Sequence, residues 1–108
     1  MIVEMRIYHC PPGRLPALND RSANTTLGFF KKYGIRQIGF WTTVIGPDNH
    51  ALTYMLQWDS LAEREEKWNA FQADPEWMAK RSASEADKPI VARIENHFLA
   101  PTAYSALR

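Results

Sequence analysis

Ile2-Val-Glu-Met-Arg-Ile-Tyr-His9 alternates at every step: Val3, Met5 and Ile7 point one way, Glu4, Arg6 and Tyr8 the other. A period of two over that length is a β-strand. Pro11-Pro12-Gly13 ends it, because proline supplies no ladder donor and glycine permits the turn. From Leu15 the period lengthens: Leu15, Leu18, Phe29 and Tyr33 share a helical stripe whose middle is filled by the small or polar Ser22 and Thr26. A helix over 15–33, weak at its centre, is expected, with Gly34 as its left-handed C-cap.

Residues 35–45 are rich in β-branched and aromatic side chains, as are 51–58, and Gly46-Pro47-Asp48-Asn49 between them is turn chemistry. The two segments predict a hairpin. Asp59-Ser60-Leu61-Ala62-Glu63 reads as a capping box, in which Ser60 accepts from the Glu63 amide and Glu63 reaches back to the amide of Ser60. The helix that follows carries Leu61, Trp68 and Phe71 on one stripe. Asp74-Pro75-Glu76-Trp77 restarts a helix, with an acidic N-cap and proline at the first helical position. Lys88-Pro89 stops it, and 90–99 supplies a last strand. The tail from Ala100 to Arg108 receives no assignment.

Strand, helix, strand, strand, helix, strand is the ferredoxin-like α+β order, βαββαβ, a four-stranded antiparallel sheet with helices on one face. The 108 residues suit one domain spanning 1–108. Thirteen basic and twelve acidic residues leave a formal charge of +1, with no basic run beyond Lys31-Lys32, so neither nucleic acid nor an anionic membrane is an expected partner. One cysteine, Cys10, and three scattered histidines give no metal-ligand spacing, and glycine-rich phosphate loops are missing, so no metal and no cofactor are expected. No apolar run reaches membrane-spanning length and the N-terminus does not resemble a signal peptide, so the expected location is cytoplasmic.

Phe40 and Trp41 are adjacent, as are Tyr54 and Met55, so bulky groups occupy both faces of the sheet whichever face the helices cover. A second copy packed on the uncovered face, a homodimer, is the economical solution.

Taken together, Gly39-Phe-Trp-Thr-Thr-Val-Ile-Gly-Pro47, Trp58-Asp-Ser-Leu-Ala-Glu-Arg-Glu65, Asp74-Pro-Glu-Trp77, the opening Glu4-Met-Arg-Ile-Tyr8 and the Pro12-Gly13 turn resemble the NIPSNAP family. The similarity runs from about residue 2 to about residue 99. It implies a dimeric α/β barrel, a superfamily that includes cofactor-free monooxygenases, isomerases and haem-degrading enzymes. It brings no catalytic residues, because the family has no agreed activity, and fold analogy does not choose among these functions.

The candidate site residues are Glu4, Arg6, Tyr8, Trp41, Tyr54 and His97. With Val3, Met5 and Ile7 under the helices, Glu4, Arg6 and Tyr8 would face the barrel interior, where a guanidinium and a phenol orient an anionic or carbonyl-bearing ligand. The plainer alternative is an ion pair that neutralises buried charge. Trp41, Tyr54 and Trp58 would line an aromatic cavity or serve as ordinary core. His97, near Glu95 on the same strand, and Tyr8 are the candidate proton-transfer groups, whereas His9 and His50 are expected to be solvated. A small-molecule ligand in a pocket between sheet and helices or in the barrel interior follows, with two functions open: binding of a hydrophobic or carbonyl-bearing molecule, or its cofactor-independent oxidation or isomerisation.

Overall fold

The computed structural model describes residues 1–108. Its elements are β1 (Ile2–His9), α1 (Leu15–Arg21), a π-helical turn (Ser22–Thr26), α2 (Leu27–Tyr33), β2 (Arg36–Thr42), β3 (Ala51–Trp58), α3 (Leu61–Gln72), α4 (Pro75–Ser84) and β4 (Arg93–Leu99). The sheet order is β2-β3-β1-β4 with antiparallel neighbours throughout, and the helices cover one face, as the element order predicts.

The weak middle of the first helix is the π turn. The amide of Leu27 reaches the carbonyl of Ser22 five residues back, and Thr26 Oγ1 donates to the Arg21 carbonyl at 3.4 Å. Gly34 closes α2 at φ 69°, a left-handed conformation that suits a residue without a Cβ. Ser60 caps α3 as expected, but Glu63 reaches back to the Asp59 amide at 2.9 Å rather than to that of Ser60. Leu61 is exposed at the start of α3, so its buried stripe is Trp68 and Phe71 alone.

Asp74 does more than cap α4. Its carboxylate accepts from the Glu76 and Trp77 amides and also from Lys32 and Tyr33 on α2, so one buried side chain joins two helices. Those donors hold its carboxyl well below the ordinary value of 3.8, Lys32 and Tyr33 most strongly.

Two boundaries and one side chain differ from expectation. β2 ends at Thr42, and Val44 and Ile45 stand in solvent, because β3 begins only at Ala51 and offers them no partner. β4 begins at Arg93, although Ile90 before it is buried with Cys10, Leu18 and Leu52. His9 is not solvated: its ring bridges Asp48 and Glu95, which raise its pKa in that order.

Alternation in β1 holds, and of the two orientations that it allows the structure takes the one with the polar trio on the helix side. Glu4, Arg6 and Tyr8 lie beneath the helices, and Val3, Met5 and Ile7 face away from them. Register fixes the neighbours: Arg6 is opposite Tyr54 and Glu4 opposite Leu56, both buried on the helix side. The physical reason is supplied 60 residues away, where α3 brings Arg64 to within hydrogen-bonding distance of Glu4. The charges of β1 are compensated under the helices, which removes the penalty that would otherwise drive them to solvent.

Candidate functional site

The polar centre begins with Glu4, which is fully buried. Its Oε1 accepts from Trp58 Nε1 at 3.0 Å and Arg64 Nε at 3.1 Å, and its Oε2 from Arg6 Nη1 and Arg64 Nη2, both at 3.0 Å. Burial alone would raise the Glu4 pKa, but the bonds and charges of Arg64 and then Arg6 outweigh it, so the carboxyl is held below its usual range. Every lone pair that matters is taken. Glu4 therefore anchors Arg6 and does not itself line the cavity described below.

Arg6, so anchored, distributes its remaining donors over two phenols: Nε donates to Tyr54 Oη at 2.9 Å and Nη2 to Tyr8 Oη at 3.3 Å. Its guanidinium also lies 4.5 Å from the centroid of the Trp68 ring. Burial works against its charge, and the phenol oxygens and Glu4 outweigh that, so Arg6 stays protonated. The two hydroxyls lie 2.9 Å apart. Between them they carry two protons, and one is used in their mutual bond. The other has no acceptor among their partners. Burial, chiefly, pushes the Tyr54 pKa well above its ordinary value of 10, so this phenol is a neutral donor near pH 7.

This pair stands at the floor of a cavity of about 570 Å³ between the sheet and the helices, within the size range of small-molecule sites. Phe30, Phe40, Trp68 and Phe71 form its apolar walls, with Phe40 stacked on Tyr54 at 4.7 Å between centroids. Ser22 and Thr26, the polar residues of the π turn, also line it, as do Arg21 and Trp77. Exposed Arg81, Arg93 and Ile94 mark its mouth.

Of the expected site residues, Arg6, Tyr8 and Tyr54 line this cavity. Trp41 and His97 do not. Register places Trp41 opposite Thr53 and His97 opposite Met5, on the face away from the helices. Trp41 lies there along the sheet, its ring only 2.7 Å from where a Cβ on Gly39 would stand. Trp58 is fully buried behind the cavity as a donor to Glu4. Sequence reasoning missed Phe40, Arg21 and the lining role of Trp77. A signal for such a cavity was the pair Ser22 and Thr26, small polar residues on the inward stripe of an otherwise apolar helix.

The sequence over residues 3–106 matches the family model of NIPSNAP. The chain belongs to the NIPSNAP family. Solved structures agree: this NIPSNAP protein is 28% identical to an uncharacterised NIPSNAP domain protein from Burkholderia xenovorans, covering 97% of this chain and 98% of that one with a TM-score of 0.83. It is 27% identical to a NIPSNAP family protein from Agrobacterium tumefaciens, covering 99% and 98% with a TM-score of 0.88. A monooxygenase from Streptomyces coelicolor, in complex with the ligand nanaomycin D, shares the fold at 15% identity, 96% and 89% coverage and a TM-score of 0.68. No curated protein matches the NIPSNAP chain in sequence. No helix is long and apolar enough to cross a membrane.

Proposed function

We propose that this NIPSNAP protein binds a small hydrophobic, carbonyl-bearing molecule in the cavity between sheet and helices, with the carbonyl oxygen accepting from the Tyr8–Tyr54 pair. The observation that carries this reading is the unused phenol proton. Arg6 makes both hydroxyl oxygens acceptors, their mutual bond consumes one hydrogen, and the second is free to donate into an aromatic-walled space. A donor backed by a buried guanidinium favours partial negative charge on a ligand oxygen. The fold is shared with a monooxygenase that holds a ligand, which supports the same use here.

Calorimetry with 2-acetonaphthone against 2-ethylnaphthalene tests the reading, because the two probes share ring and shape and differ in the carbonyl. The ketone should bind about tenfold tighter, as one good hydrogen bond to a charge-backed donor allows. Equal affinities would overturn the assignment.

Cofactor-independent oxidation or isomerisation is the second reading, because the same donor would stabilise an enolate. The cavity floor holds a proton donor and a cation but no base: Glu85 is the one carboxylate among the lining residues, and His97 is on the other face. That composition favours binding. Accelerated deuterium exchange into the methyl group of 2-acetonaphthone would favour the enzyme instead.

The uncovered sheet face, with Trp41 48% exposed and Met5, Ile7 and Met55 beside it, supports a homodimer in which a second copy covers it. Light scattering should give twice the chain mass of 12.4 kDa. The lone buried Cys10 fits a reducing compartment, the cytoplasm.

A further inference from the structure

Arg21 lines the same cavity away from the phenol pair, and its side chain is only 8% exposed. Its Nη1 donates to Ser84 Oγ at 3.3 Å and stands 3.8 Å from Glu85 Oε2, beyond hydrogen-bond length. The other Glu85 oxygen accepts from the Ile90 amide. Arg21 Nε has no partner within the chain. Trp77 Nε1, equally buried, has none either. The two belong to one corner, since the Arg21 guanidinium lies 6.0 Å from the Trp77 ring centroid. Two buried N–H donors without acceptors, one of them on a guanidinium, leave a cost that an anionic acceptor would remove.

The charge of the lining points the same way. Of the four arginines in the lining, Arg6 is paired with Glu4, Arg21 stands 3.8 Å from Glu85 and Arg93 3.9 Å from Glu95, which leaves Arg81 without a carboxylate and the lining net positive. The anion is not drawn to the floor, because Arg6 has donors committed to Glu4, Tyr8 and Tyr54. It is drawn to Arg21. One charged and one neutral N–H donor in the same corner suit a monoanionic carboxylate, and no glycine-rich nest for a phosphate accompanies them.

We propose that Arg21 and Trp77 form a carboxylate subsite, so that the molecule held in this cavity is an aromatic or similarly flat carboxylic acid. The proposal rests on the reading of the cavity as a ligand site and names the class of ligand it takes.

Calorimetry on the full chain with 2-naphthoate and 2-acetonaphthone separates the two readings. Naphthoate should bind at least tenfold tighter than the ketone. That preference should fall at least tenfold in Arg21→Gln and about threefold in Trp77→Phe, which keeps an aromatic ring but loses the N–H, while Arg21→Lys should restore part of it. Should Arg21→Gln fail to fold, judged by circular dichroism, Trp77→Phe decides. Ketone binding without a carboxylate preference, or a preference unchanged in the folded variants, would mean these donors do not serve the ligand and would overturn the subsite while leaving the ketone site intact. Binding of neither probe overturns both.

Discussion

Tyr8 and Tyr54 are 46 residues apart in the chain and their hydroxyls are 2.9 Å apart in the fold, with Arg6 donating to both. The three side chains form a triangle held from behind by Glu4, so the proposed ligand contact and the stability of the network are linked. A change at any corner alters both, by amounts that differ with what it leaves unpaired.

Tyr54→Phe should keep the ring stacked on Phe40 and remove the oxygen that Arg6 Nε and Tyr8 share. A buried guanidinium donor loses its partner, at a cost of about 1–3 kcal/mol. Urea unfolding should report that loss with an unchanged m-value; the Tyr8 hydroxyl keeps a free proton and its bond from Arg6, so affinity for 2-acetonaphthone should fall about tenfold only when Tyr8→Phe is combined with Tyr54→Phe.

Glu4→Gln leaves Arg6 and Arg64 facing a neutral amide in a fully buried position. Breaking a buried pair in this way costs on the order of 3 kcal/mol. The variant should be less stable than Tyr54→Phe in the same urea series, although Glu4 does not line the cavity. A loss smaller than that of Tyr54→Phe would show that Glu4 is not the anchor of the network.

The bridge from Asp48 through His9 to Glu95 predicts a pH dependence. Its pKa is raised above the ordinary 6.5 by Asp48 and then Glu95, so the stabilisation from protonated His9 is complete below the unfolded-state value and is lost as pH rises through the raised one. The melting temperature of the wild type should decline across that window. In His9→Gln the decline should flatten, and identical profiles would remove His9 from the account.

Asp74 predicts the opposite sign. Its carboxyl is held below 3.8, so its contribution is present above that pH and is lost on acidification. Asp74→Asn, which keeps the capping oxygen, should melt between wild type and Asp74→Ala at pH 7, and the gap between wild type and Asp74→Asn should narrow as the pH falls below about 4.

Much of this was legible locally. Strand and helix periods, the caps at Ser60 and Asp74 and the glycine at position 34 depend on neighbours within a few residues, so the order of elements and hence the α+β fold follow from the sequence alone. The family was legible too, in the spacing of short segments from Glu4 to Trp77. Even the π turn left a trace in the polar Ser22 and Thr26.

What the chain alone did not settle was the side of the sheet on which each strand residue lies. Alternation groups Glu4 with Arg6 and Tyr8 but is symmetric between the two faces. A polar trio is placed beneath helices only where distant groups pay its desolvation, and those groups, Tyr54, Trp58, Arg64 and Trp68, stand on β3 and α3. The same symmetry put Trp41 and His97 out of reach of local reasoning: register with Thr53 and Met5 turns them away from the cavity. The approach of Arg21 to Trp77 joins the end of α1 to α4, distant in the chain. Period is a property of adjacent residues, whereas burial and charge compensation are properties of contacts across the sheet and helix layers, and only the tertiary structure decided them.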